Sequence, residues 1–239
     1  MSNPKGPEVK VRRFSKAFVA AHAINFISFM VLYISALPMY TEFFDWLYPV
    51  FGGPENARLV HRIFAVIFCT PTVIWFIFDR KGLFRWFKEI VTWKKRDVEW
   101  FKQSGKELTG FKFEHVPQSF FNAGEKINSW IQIVTATLII VSGFTMWFPA
   151  YFPRWAVQWG FFTHSASIGL AIAVVVGHIY MAAVHKHSAP GFKGVVTGIV
   201  PAWWAKSHYT DWYNEEVKKG NFPDVPIHGH DDDKKTKGA

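Results

Sequence analysis

The chain has 239 residues, half of them hydrophobic and 18% aromatic, with 12 Trp, 25 Phe and a formal net charge of +9. That is too apolar for a disordered chain and too aromatic for an ordinary soluble domain, and the length suits one domain or two. The single cysteine, Cys69, lies in an apolar run. It excludes an intramolecular disulfide framework, a Cys-rich zinc site, an iron–sulfur cluster on this chain and covalent cofactor attachment through CxxCH.

Residues 1–16 are basic and polar. Ala17 to Thr41 then runs for 25 residues without Asp, Glu, Lys or Arg. Three more such stretches follow: Ile63 to Phe78 with 16 residues, Ile127 to Pro153 with 27, and Trp155 to His185 with 31. A helix crosses a bilayer with about 20 apolar residues. The pattern predicts spanning helices over 17–40, 58–79, 127–149 and 157–185, the second completed by Leu59 and Val60 with Arg62 snorkelling at the interface. Pro38, Pro149 and Pro153 fall at helix ends, and Pro71 predicts a kink in the second span. The first span is too long and too aromatic at its end for a cleaved signal peptide. The alternative is a soluble bundle of unusually apolar helices, and four such spans are hard to bury in so short a chain.

Twenty-four of the 27 Lys and Arg lie in residues 1–16, 80–126 and 186–239. The positive-inside rule puts these segments, both termini included, on the cytoplasmic side of the inner membrane. Topology thus accounts for the charge, and no nucleic-acid partner is needed. The 80–126 connection, with Trp86, Trp93 and Trp100 among lysines, reads as amphipathic structure on the inner membrane surface, and so does Gly191 to His208. The last ten residues are a polar tail. The expected fold is an all-α integral membrane protein, a four-helix bundle spanning residues 17–185 with cytoplasmic segments at 1–16 and 186–239.

Four of the ten histidines fall in the spans: His22, His61, His164 and His178. An ionisable group at membrane depth is a functional hypothesis by default. In the four-pass topology His22 and His178 lie towards the inner side, and His61 and His164 towards the outer. His164 and His178 are 14 residues apart, 40° short of four full turns at 100° per residue. They therefore share a helix face and stand about 21 Å apart along it. That spacing leaves room for two planar cofactors, one per leaflet, each between histidines of two helices. Bis-histidine haem b is the leading reading. Structural histidines, a proton relay and a grouped-histidine metal site remain open beside it. Arg62 could pair with a haem propionate or simply snorkel. His115, His185, His187, His208, His228 and His230 read as surface residues.

The residues also carry a resemblance. Ala57-Arg-Leu-Val-His61, Phe121-Asn-Ala-Gly-Glu-Lys126, Thr163-His-Ser-Ala166, Gly177-His-Ile-Tyr-Met-Ala182, and the tail Trp204-Ala-Lys-Ser-His208 with Trp212-Tyr213 resemble the cytochrome b (gamma) subunit of membrane-bound formate dehydrogenase over most of the chain. The resemblance implies a membrane-anchoring electron-transfer subunit with two b haems, His61 and His164 holding the outer and His22 and His178 the inner. It implies an iron–sulfur (beta) partner fed by a molybdenum or tungsten catalytic (alpha) subunit. Menaquinone or another quinone would be reduced at the inner side, near Asn122, Gly124 and His178, in a complex that can assemble further. Glu125 stands where that family often has Gln. It could deliver protons to a quinone, or only cap the helix or pair with Lys126. The chain itself breaks no bond in formate. Three alternatives stand: a cytochrome b serving a hydrogenase or a thiosulfate or polysulfide reductase, a haem-free transporter with a histidine proton relay, and an anchor subunit whose histidines only brace helices.

Overall fold

A computed structural model describes residues 8–185 and 188–225. Lys186, His187, His228, His230 and the polar tail lie outside the described residues. The chain divides into two compact units, one formed by residues 14–85 and 195–198, the other by residues up to 13, 86–194 and 199 onward. Four helical stretches are long and apolar enough to span a membrane: Lys16–Tyr40, Pro54–Phe78, Ala123–Trp147 and Arg154–Val184.

The first unit is a helical hairpin. Helix α1 (Lys16–Tyr40) starts at Ser15, whose Oγ accepts a hydrogen bond from Phe18 N at 3.1 Å. This satisfies one of the four N–H groups that a helix start leaves over. At its far end Tyr48 Oη donates to the Pro38 carbonyl at 2.8 Å. A 3₁₀ turn (Glu42–Leu47) and the short α2 (Tyr48–Phe51) lead to Gly52 and Gly53, at φ +78° and +111°. Only glycine adopts this left-handed backbone without strain. Pro54 follows at the first position of α3 (Pro54–Phe68), where a missing N–H costs nothing. The second span therefore begins at Pro54, four residues before the start that charge alone predicts. The kink expected at Pro71 is a break: α3 ends at Phe68 and α4 (Pro71–Phe78) begins anew. Helix α1 packs along both halves. Phe26, Ile27, Val66 and Ile77 point outward, as side chains in lipid do, while Phe29 is buried.

Helix α5 (Arg80–Val91) leads into the second unit, where α6 (Lys95–Leu108) and an irregular stretch precede α7 (Ala123–Trp147). Pro149 opens a 3₁₀ turn, and Pro153 precedes α8 (Arg154–Ile179), which ends in one π-helical turn at Tyr180–Val184. Helices α7 and α8 pack as a second hairpin. The approach is close at Gly160, where a Cβ would stand 2.3 Å from Thr145 Oγ1.

The remaining elements are α9 (Ala189–Thr197), α10 (Ala202–His208) and α11 (Thr210–Lys218). The helical class holds with one addition. Strand β1 (Lys10–Arg12) pairs antiparallel with β2 (Ile199–Pro201), setting Val11 opposite Val200, both buried. Three-residue strands are too short to show a period-two pattern, so no periodicity signals this ribbon. It joins residues 189 positions apart, Val11 and Val200, and so ties residues 10–12 to residues 199–201.

Candidate cofactor-binding site

His61 sits on α3 and is half-buried. Its Nδ1 lies 3.1 Å from Ser35 Oγ on α1. Ser35 is fully buried, and its own hydroxyl hydrogen goes to the Leu32 carbonyl at 3.1 Å. A hydroxyl has one hydrogen to give. With that hydrogen on the Leu32 carbonyl, Ser35 Oγ accepts from His61 Nδ1–H, and the lone pair of the neutral ring is on Nε2.

The second hairpin repeats this arrangement. His164 Nδ1 on α8 lies 3.2 Å from Ser142 Oγ and 3.0 Å from the Ile139 carbonyl, both on α7. A carbonyl only accepts, so Nδ1 again carries the hydrogen and Nε2 the lone pair. Ser142 is buried and donates back to its own helix at Leu138 and Ile139. Gly143 makes room: a Cβ there would stand 3.3 Å from His164 Cε1.

The other two spanning histidines have different company. His22, half-buried on α1, has the Phe18 ring 5.9 Å away, centroid to centroid. Phe18 stacks on Phe14 at 4.3 Å and meets Trp75 of α4 edge-on at 5.0 Å, so the surroundings on this side are aromatic. His178, near the end of α8, lies within electrostatic reach of the Glu125 carboxylate. The structure thus brings Glu125 and its neighbours Asn122 and Gly124 to the His178 end of the second hairpin.

Asn122 and Glu125 form a reciprocal N-terminal cap on α7. Asn122 Oδ1 accepts from Glu125 N at 2.8 Å, and Glu125 Oε2 accepts from Asn122 N at 2.8 Å. The other carboxylate oxygen, Oε1, accepts from Arg13 Nη2 at 3.0 Å and from Tyr209 Oη at 2.9 Å. Arg13 is buried, donates also to the Phe120 carbonyl at 2.9 Å, and lies 3.7 Å from the centre of the Tyr209 ring. The Tyr209 phenol is pushed above its ordinary value, chiefly by burial. The Arg13 guanidinium is also held above its ordinary value, Tyr209 and Glu125 outweighing its burial. Of the roles open to Glu125, capping is present, and its ion pair is with Arg13 and not Lys126. Adjacent helical residues point about 100° apart, so Lys126 faces elsewhere.

Lys126 makes a buried pair of its own. Its Nζ donates to Asp97 Oδ2 at 2.9 Å, to Asp97 Oδ1 at 3.1 Å and to the Thr92 carbonyl at 3.0 Å. Asp97 also caps α6 by accepting from Lys94 N at 2.7 Å. Trp130 Nε1 donates to the Ile90 carbonyl at 2.9 Å, and Trp86 Nε1 to Ser129 Oγ at 3.3 Å. Arg96 pairs with Asp211 of α11. The 80–126 connection is therefore docked through charges and tryptophans as well as being amphipathic. Gly124 has a packing reason as well as a candidate ligand role, since a Cβ there would lie 2.7 Å from the Trp100 ring.

Arg62 is exposed next to His61. Two histidines expected at the surface are half-buried instead. His208 stacks on Trp204 at 4.8 Å with His115 5.0 Å away, and His185 lies 3.8 Å from Glu107 Oε1. The aromatic density of this segment draws His208 inward. His115 is exposed, as expected. Ser35, Ser142, Arg13, Tyr209 and Asp97 were missed in the sequence. Hydroxyls are common in these helices and most bond only to their own backbone, as Ser28 and Thr135 do, so nothing singled out two of them.

A profile described as prokaryotic cytochrome b561 matches residues 13–198. The chain is 29% identical to the formate dehydrogenase cytochrome b556 subunit of Haemophilus influenzae over 200 residues, which covers 82% of this chain and 79% of the relative. It is 27% identical over 202 residues to the nitrate-inducible formate dehydrogenase cytochrome b556 subunit of Escherichia coli K12, covering 83% and 88%. The fdo cytochrome b556 subunit of the same organism is also 27% identical, over 205 residues, covering 82% and 89%.

Proposed function

The chain belongs to the prokaryotic cytochrome b561 family, and from that premise we propose that it is the membrane cytochrome b subunit of a respiratory formate dehydrogenase. Family membership makes it a multi-pass membrane cytochrome with haem b as its cofactor class. In this proposal an iron–sulfur subunit, fed by a molybdenum or tungsten catalytic subunit, delivers electrons to the outer side. They leave at the cytoplasmic side to menaquinone or another quinone, with both termini cytoplasmic and the inner membrane as location.

The residues present fit haem b. The observation that carries the reading is the Nδ1 hydrogen bonding of His61 and His164, which leaves each neutral ring with its lone pair on Nε2. That is the form in which an imidazole ligates iron. Haem iron, when bound, supplies one-electron redox cycling. His61 with His164 would hold the outer group and His22 with His178 the inner, as the depth pairing predicts. Arg62 stands next to His61 and offers a guanidinium for a propionate. Asn122, Gly124 and Glu125 would line the quinone pocket near His178. Glu125 already accepts from Arg13, Tyr209 and the Asn122 N–H, which favours fixing the shape and charge of that pocket over passing protons.

The test is a dithionite-reduced minus oxidised visible spectrum of the purified chain with haem quantified per polypeptide, followed by formate-to-quinone turnover in the assembled complex. A sharp low-spin b-type band with two haems per chain is expected. Replacing His164 by Ala should remove one of them, and Glu125→Gln should leave the pH profile of quinone reduction unchanged. A colourless, folded, membrane-extracted chain overturns the reading and favours the proton-relay transporter.

A further inference from the structure

The two hairpins contain one polar device each, and the devices match. Ser35 and Ser142 both stand five residues before the last residue of their helices, α1 and α7. Both are buried, both give their hydroxyl hydrogen to their own helix backbone, and both accept from Nδ1–H of a histidine on the next spanning helix, at 3.1 and 3.2 Å. A buried hydroxyl whose hydrogen is committed in this way meets the ring nitrogen only as an acceptor, so it sets the tautomer and orients the ring.

We propose that Ser35 and Ser142 are paired positioning residues, which hold His61 and His164 as Nδ1-protonated imidazoles with fixed planes and so set the ligand field and reduction potential of the group those histidines bind. The inference rests on the reading of His61 and His164 as axial ligands. His164 Nδ1–H is shared between Ser142 Oγ and the Ile139 carbonyl at 3.0 Å, and His61 Nδ1 meets Ser35 Oγ at 3.1 Å. A hydrogen bond from Nδ1–H to oxygen makes the ring a stronger electron donor and favours the ferric state. Removing the hydroxyl therefore raises the potential of the group concerned. At Ser142 the rise is partial, because the Ile139 carbonyl remains.

The experiment is a potentiometric titration, together with low-temperature electron paramagnetic resonance of the ferric state, on the haem-loaded full chain as wild type, Ser35→Ala, Ser142→Ala, Ser35→Thr and Ser142→Thr. Alanine suits a helix interior, so loss of folding is not the expected consequence. The expected result is an upward shift of one haem potential and a changed highest g-value in each Ala variant. The same haem responds in both, and threonine restores the wild-type signal. Haem affinity should fall within the roughly 10- to 100-fold range that outer-shell partners carry. Unchanged potentials and g-values in both Ala variants, with haem content intact, overturn the proposal while the haem reading stands. A shift of different haems by the two variants overturns it as well. A wild-type chain without haem removes the reading on which it rests.

Discussion

The two helical hairpins are alike at one end and unlike at the other. At the Ser35 and Ser142 ends each presents a histidine ring held through Nδ1 by a buried serine. At the opposite ends the first hairpin surrounds His22 with Phe14, Phe18 and Trp75, whereas the second places His178 near a carboxylate fixed by a buried arginine and a tyrosine. Matched surroundings suit one-electron transfer, in which nothing but charge moves. The difference teaches that two hairpins can share a serine–histidine contact at one end and differ in the polar structure attached to the other.

The largest test of that contrast is the buried pair in the second hairpin. Lys126 and Asp97 each keep only 2% of the side chain exposed. Lys126→Met should leave Asp97 buried without its cation and cost about 3–5 kcal/mol, read as a lowered unfolding midpoint in detergent. Replacing both residues by apolar ones of similar volume should recover much of the loss. A midpoint unchanged in the single variant would mean that water reaches Asp97 and that the charged end is looser than it looks.

A smaller effect follows from Tyr209. Its phenol is pushed up mainly by burial, against the neighbouring Arg13 guanidinium, which favours the phenolate. The stability it contributes is therefore complete below the unfolded phenol's pKa of about 10 and is lost as pH climbs through the folded value. The difference in unfolding midpoint between wild type and Tyr209→Phe should be constant up to about pH 9 and change only above it. A difference that changes below pH 8 would show that another group, coupled to Tyr209, titrates first.

The smallest effect lies in the first hairpin. Glu55 and Arg58 form an exposed pair at 3.2 Å, with 91% and 55% of their side chains exposed. Glu55→Gln should change stability by no more than about 0.5 kcal/mol, because solvent screens the pair and the side chains are mobile. The gap between this result and that for Lys126 measures how unequally the two hairpins use charge.

The four spans and their basic flanks were legible because the bilayer imposes them. Backbone groups in lipid must pair within helices, and charged side chains must stay out. The four histidines stood out for the same reason, since an ionisable residue among 25 apolar neighbours is conspicuous. The break at Pro71 and the cap at Asn122 follow from local backbone chemistry and were also within reach. Arg13 gave no such signal. It reads as one of five basic residues in a cytoplasmic flank, yet it is buried against Phe120, Tyr209 and Glu125, more than 100 positions away. Ser35 and Ser142 were hidden among other helix hydroxyls, and the β1–β2 ribbon among residues with no strand pattern.

The sequence by itself determined that this chain has four helices long and apolar enough to cross a membrane, and which histidines fall among their apolar residues. Those properties depend on composition along one helix and on the thickness of the bilayer. Only the tertiary structure decided which serine meets which histidine, which carboxylate takes Arg13 and which takes Lys126, and that the N-terminal segment pairs with residues near 200. Such choices depend on the rotation of one helix against the next and on contacts between residues far apart in the chain. A difference of one residue in register would exchange the partners while leaving every hydropathy pattern unchanged.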